Sequence, residues 1–224
     1  MTTNALPSNA GPVAGIMALG LLPIVAPPFQ LTSLVTGLPV AEYSARFAVS
    51  PLPLALHILG AILFCILGAL QFLPRLRNTR PRFHRYSGRA VVPAGLAVAV
   101  SGVWMTLSNP APSVDGVALF AMRLFFATAM ALFLVLGLVA ARRRIFDRHR
   151  DWMTRGYAVG IAAGTQLITT VPVALLFGPL GENLRAALMG AGWVITIAVA
   201  EWIIRRPVPG TPPDRESERE RAFA

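Results

Sequence analysis

The chain has 224 residues, of which 55% are hydrophobic and 13% charged, and its formal net charge is +10. Because a soluble domain carries about 25% charged residues, this composition excludes a water-exposed globular surface. The positive charge lies between apolar segments rather than on a soluble basic face, so we expect no nucleic-acid partner. The sequence therefore predicts an all-α fold, a polytopic transmembrane helical bundle of about six spans.

Long uncharged segments define the predicted spans. No Asp, Glu, Lys or Arg occurs between positions 46 and 75, between 89 and 115, or between 155 and 182, and each gap exceeds the roughly 20 residues that cross a bilayer as a helix. Two further segments are interrupted only by Arg123 and by Glu201. The predicted spans lie near residues 12–28, 52–74, 90–108, 117–141, 156–178 and 185–204, in a single domain that covers residues 1–206.

The two ends of the chain differ from the segments between them. The first 41 residues are uncharged but rich in proline, so the span near 12–28 is predicted to be a retained, irregular helix rather than a cleaved signal, with a re-entrant segment as the alternative. Residues 207–224 combine a Pro-Gly-Thr-Pro-Pro run with alternating acids and arginines. Because such a segment buries little apolar surface, we expect a disordered cytoplasmic tail.

The arginines predict the orientation. Residues 75–89 and 142–155 contain six each and the tail after residue 204 contains five, which is 17 of the 20 basic residues. All three segments lie on one side of a six-span bundle, and positively charged loops stay in the cytoplasm. We therefore expect both termini in the cytoplasm.

Two similar motifs open the third and fifth predicted spans. They read His84-Arg85-Tyr86-Ser87-Gly88-Arg89 and His149-Arg150-Asp151-Trp152-Met153-Thr154-Arg155, and His57 precedes Gly68-Ala69-Leu70-Gln71-Phe72 on the second span. Together they resemble the uncharacterised bacterial membrane proteins grouped as domain of unknown function 2306. The resemblance covers roughly residues 50–160, with a looser fit to the end. It implies a multi-pass protein of the bacterial cytoplasmic (inner) membrane and supplies no activity.

A basic zone at the cytoplasmic side is the first candidate site. It consists of His84, Arg85, Arg89, His149, Arg150, Trp152, Arg155 and Glu201. Arginines at a helix N-terminus oppose the helix dipole, which favours a bound anion such as a lipid phosphate among them. The alternative is that they only set the topology beside anionic headgroups of membrane lipids. An intramembrane acid needs a partner, and for Glu201 we expect Arg89, Arg142 or Arg155.

The second candidate site lies on the outer side. His57 and Arg123 are each about 6–9 Å inside the boundary at about 1.5 Å per residue. Because a guanidinium in hydrocarbon is costly, Arg123 should face the interior, where neutral His57 could accept from it. Gln166 is the deep polar residue, near the midplane. His57 and Arg123 either line an outward-opening pocket for a small anion, a carboxylate or a proton, or they form hydrogen bonds between helices or extend to the membrane surface. Gln166 either joins helices by hydrogen bonds or belongs to a transport site, and the sequence leaves these alternatives open.

The sequence contains few indications of the class of activity. No HExxH, P-loop or Gly-x-Ser-x-Gly pattern occurs and Cys65 is the single cysteine, so hydrolase, ATPase and cysteine-metal sites lack their usual signatures. The leading hypothesis is non-enzymatic: a small transporter or a lipid- and anion-interacting protein, without a cofactor. The alternative is electron transfer through b-type haem bound by His84 and His149.

Overall fold

The computed structural model describes residues 51–108 and 115–206, together with the single helical positions Gly15 and Gly20. Within residues 51–108 and 115–206 the chain forms six α-helices and no strands: α1 (Pro51–Gln71), α2 (Pro74–Thr79), α3 (Pro81–Ser108), α4 (Gly116–Arg142), α5 (Phe146–Phe177) and α6 (Glu182–Arg205). All of these except α2 are long and apolar enough to cross a membrane, which confirms the predicted all-helical membrane fold. The predicted span near residues 12–28, apart from its two single positions, and the predicted tail lie outside the described residues.

Proline and glycine mark where several helices start and stop. Pro51, Pro74 and Pro81 are the first residues of α1, α2 and α3. Proline is favoured at this position because the N–H that it lacks would make no hydrogen bond within the helix. Gly178 follows α5 with a φ of 81°, a conformation that ends helices and favours glycine. Helices α3 and α5 begin before the apolar spans predicted near 90–108 and 156–178, and the residues that precede each span include three arginines, which lower the hydropathy there.

A three-residue turn connects α4 to α5. The N–H of Ile145 donates to the carbonyl of Ala140 at 2.9 Å, and the N–H of Arg144 donates to Ala141 at 3.0 Å. Arg144 has a φ of 60°, the left-handed conformation that glycine usually supplies in this Schellman motif. The turn reverses the chain, so α4 and α5 form an antiparallel hairpin.

Hydrogen bonds fix how the other helices run. Gln71, at the end of α1, donates to Ser87 near the start of α3 at 2.6 Å, so α1 and α3 form a second antiparallel hairpin. Helix α3 packs on α4, and α6 packs on both α4 and α5. We call the end of the bundle where α1, α4 and α6 begin the Asp115 end, and the opposite end the arginine-rich end.

The core joins the two hairpins. Phe64 and Leu134 are 1% and 0% exposed, and a side chain at Gly95 would come within 2.6–2.7 Å of both, so α3 approaches α1 and α4 closely. The hydroxyl of Tyr157 on α5 donates to the carbonyl of Cys65 on α1 at 3.0 Å. These contacts hold α1, α3, α4 and α5 around one interior, where the candidate site lies.

Candidate functional site

Two arginines from different helices share one buried carboxylate at the Asp115 end. Arg123 Nη1 on α4 donates to Asp115 Oδ2 at 2.9 Å, and Arg185 Nε on α6 donates to Oδ1 at 2.8 Å. Asp115 precedes α4 without capping it through its side chain, and that side chain is 0% exposed. The carboxylate of Glu182 lies beside Gly116. The shared Asp115 therefore ties the first turns of α4 to those of α6.

His57 is held by α3 rather than by Arg123. Its Nδ1 lies 3.1 Å from the carbonyl oxygen of Val98 and 3.1 Å from Ser101 Oγ. Because a carbonyl oxygen only accepts, Nδ1 carries the proton in this arrangement, and Nε2 of the neutral ring is an acceptor. Among the described residues, Arg123 donates to Asp115, and the hydrogen bonds of His57 go to Val98 and Ser101.

A cavity of about 280 Å³ lies between the two hairpins and α6. His57, Arg123 and Gln166, which the sequence singled out as polar residues inside the spans, all line it. Arg123 is the one Arg, Asp or Glu side chain in the lining that the described residues provide. The structure thus places one guanidinium, one imidazole and one carboxamide around a single space of small-molecule size.

Gln166 both joins two helices and lines the cavity. Its Nε2 donates to the carbonyl of Met189 on α6 at 3.2 Å, and its side chain and backbone lie so close to Gly192 that a Cβ there would come within 2.6–3.2 Å of them. Thr169 also donates to α6, at the Leu188 carbonyl, at 2.9 Å. The two interpretations of Gln166 therefore do not exclude each other.

An aromatic pair in the lining escaped the sequence analysis. The rings of Phe126 on α4 and Trp193 on α6 stack with centroids 4.6 Å apart and planes 16° from parallel, and both line the cavity. Asp115 and Arg185 were missed as well. The sequence signal for Asp115 was the need of Arg123 for an acidic partner, because Asp115 lies only eight residues before it.

The arginine-rich end contains a second ion pair between helices. Arg155 on α5 donates through Nε and Nη2 to the two carboxylate oxygens of Glu201 on α6, at 2.5 and 3.0 Å. This bidentate geometry selects Arg155 from the three partners expected for Glu201. The Arg155 guanidinium also lies 4.9 Å from the centroid of the Trp152 ring, which stacks on Phe133 at 5.6 Å. Arg155 therefore contacts both other residues, Glu201 through hydrogen bonds and Trp152 through its ring.

The two histidine motifs occupy equivalent places. His84 and His149 are each the fourth residue of their helices, α3 and α5, and His149 Nδ1 lies 2.8 Å from the Gly137 carbonyl oxygen on α4. Arg85 and Arg89 are exposed. Arg150 donates to its neighbour Asp151 at 3.1–3.2 Å. Binding of a lipid phosphate or of haem by this zone stays a prediction.

Five helices of membrane length and polar side chains turned toward an internal cavity define a multi-pass integral membrane protein. The family model for a predicted membrane protein, DUF2306, matches residues 54–204, more than half of the chain, and the chain belongs to this family. The match confirms the resemblance drawn from the histidine motifs. No curated protein and no solved structure matches the chain.

Proposed function

We propose that this protein binds a small anion in the cavity between its helices, as a small transporter or an anion-interacting membrane protein would. One observation carries the proposal: Arg123, an intramembrane cation, lines the cavity with His57 and Gln166. Arginines within spans are rare and mark ligand or ion sites in many membrane proteins.

The lining has hydrogen-bond capacity left for a ligand. Arg123 has five N–H donors, and its one hydrogen bond to another described residue is the one to Asp115. Gln166 directs its amide to Met189, which leaves its carbonyl oxygen and one N–H. His57 Nε2 accepts from a ligand hydroxyl or, when the ring is protonated, donates to an anion. An anion between Arg123 and His57 is the arrangement that uses these groups best.

The position of the cavity supports a transport role. It lies between the α1–α3 hairpin and the α4–α5 hairpin, whose similar histidine motifs fit a parallel repeat, and transporters bind their substrates at the interface between repeats. No redox or hydrolytic role is proposed.

The proposed location is the bacterial cytoplasmic membrane, with the arginine-rich end in the cytoplasm and Arg85 and Arg89 near anionic lipid headgroups. In a Cys65→Ala background, a membrane-impermeant thiol reagent added outside intact cells should label Gly181→Cys and not Arg80→Cys. The reverse pattern would contradict this orientation.

Thermal unfolding of the purified full chain in mild detergent tests anion binding. A ligand that binds only the folded state raises the unfolding midpoint, so chloride, nitrate, phosphate, acetate and butyrate are compared at constant ionic strength. We expect at least one of them to stabilise the wild type and Arg142→Gln but not Arg123→Gln. Arg142 is the matched control because it lies on the same helix and is exposed at the other end. If no anion stabilises the wild type, or if Arg123→Gln responds equally, the proposal fails.

A further inference from the structure

The cavity changes in polarity along its length. At about 1.5 Å per residue, Thr106, His57 and Arg123 lie roughly 3 to 11 Å from the ends of their helices at the Asp115 end. Gln166 lies about 16 Å from the end of α5, and Met130 and Ala163 lie about 21 Å from the ends of α4 and α5 at the Asp115 end. The hydrogen-bonding side chains of the lining therefore lie within about 16 Å of the Asp115 end, and the deepest part, around Met130 and Ala163, is apolar.

From this gradient we infer that the ligand is a monocarboxylate with a short apolar body, bound with its carboxylate at Arg123 and its apolar end toward Met130 and Trp193. The inference rests on the proposed function and names the ligand class of that site. A planar carboxylate matches the guanidinium fork. Arg123 and Arg185 together carry one positive charge more than the Asp115 carboxylate that they share, and this excess matches one negative charge. A dianion would bring an uncompensated charge into a region of low dielectric.

The volume limits the length of the apolar body. An apolar protein cavity of about 150 Å³ accommodates benzene, which has six heavy atoms. A cavity of about 280 Å³ therefore holds roughly 11 heavy atoms on the same scale. A straight-chain acid of about eight carbons reaches that size, so affinity should rise with chain length and level off there.

Trp193 provides a built-in reporter, since it lines the cavity and lies about 16 Å from the start of α6. We would retain it as the only tryptophan by changing Trp104, Trp152 and Trp202 to Phe, and reconstitute the full chain in phosphatidylcholine nanodiscs. Acids of two, four, six and eight carbons are then titrated. We expect affinity to increase up to about fourfold for each added methylene, and 8-bromooctanoate to quench Trp193 more strongly than 2-bromooctanoate.

Two substitutions by leucine test the deepest part directly. Ala163 lines the cavity and is exposed, so Ala163→Leu should fill the space and reduce octanoate affinity at least tenfold while acetate binding is kept. Ala187→Leu on α6 is the control, because Ala187 is exposed and outside the lining. The comparison of the two bromo-acids needs no deep substitution and applies even if Ala163→Leu fails to fold.

The outcomes separate the two proposals. Equal affinity for all chain lengths, with equal quenching by both bromo-acids, would overturn the monocarboxylate inference and leave small-anion binding intact. Binding of neither the carboxylates nor the inorganic anions would overturn both. An affinity that rises with chain length and depends on Ala163 would support the inference.

Discussion

Arg123 donates a 2.9 Å hydrogen bond to Asp115, the residue that immediately precedes its own helix. The guanidinium reaches back along eight residues of α4 toward the Asp115 end while it also lines the cavity. Asp115 therefore pairs with Arg123 and competes with any anion for it. Because Arg185 binds the other oxygen of the same carboxylate, Asp115 keeps a partner when Arg123 turns to a ligand.

Asp115→Asn should lower stability and raise anion affinity at once. The change leaves two arginines without a negative partner, and breaking a buried ion pair costs about 3–5 kcal/mol. Partial exposure of both guanidinium groups reduces the expected loss to roughly 2–4 kcal/mol. Thermal unfolding and anion titration in detergent measure the two effects. Asp147→Asn, at an exposed site, is the control, and an unchanged unfolding midpoint in Asp115→Asn would contradict the account.

Arg155 and Glu201 should be energetically coupled. A double-mutant cycle with Arg155→Gln and Glu201→Gln is expected to give about 1–2 kcal/mol of coupling, because the pair is bidentate and about three-quarters buried. Arg205 approaches the same carboxylate at 3.8 Å but is 79% exposed. Coupling of Arg205→Gln to Glu201→Gln should therefore stay within about 0.5 kcal/mol. Equal coupling for both arginines would rule out this difference.

Close contact between α5 and α6 should depend on Gly192. A methyl group there would come within 3.1–3.2 Å of backbone atoms of Gln166, so Gly192→Ala must push the helices apart and displace the Gln166 amide from the cavity. We expect a loss of about 1–3 kcal/mol in stability and weaker anion binding. Gly181→Ala is the matched control, since nothing lies within 4 Å of that Cβ position. Equal stability of the two variants would show that the contact is unimportant.

The sequence predicted the helices and the inward position of Arg123 from the cost of charge in a bilayer. It did not predict the partner of Arg123. Asp115 lies at a span boundary, where water can solvate an acid, so its position alone does not indicate an ion pair. Helices α3 and α5 extend beyond the predicted spans near 90–108 and 156–178, since the hydropathy that defines a span does not register a helical turn containing arginines. The stacking of Phe126 on Trp193 depends on the packing of α4 against α6, which no local pattern encodes.

The haem alternative makes a different spectroscopic prediction. A b-type haem held by His84 and His149 would give a Soret band that shifts on reduction. The anion-binding account expects only aromatic absorbance from protein expressed with sufficient haem and purified in mild detergent. A dithionite-sensitive Soret band that disappears in His149→Ala would replace this account with an electron-transfer role.

The central claim is that Arg123 holds a small anion inside the bundle, and isothermal titration of the full chain in nanodiscs measures this most directly. Butyrate is titrated into the wild type, Arg123→Lys, Arg123→Gln and the control Arg142→Gln. The account predicts one site per chain in the wild type and in Arg142→Gln, weaker binding in Arg123→Lys, which keeps the charge but loses the planar fork, and none in Arg123→Gln. Undiminished binding in Arg123→Gln would contradict the claim.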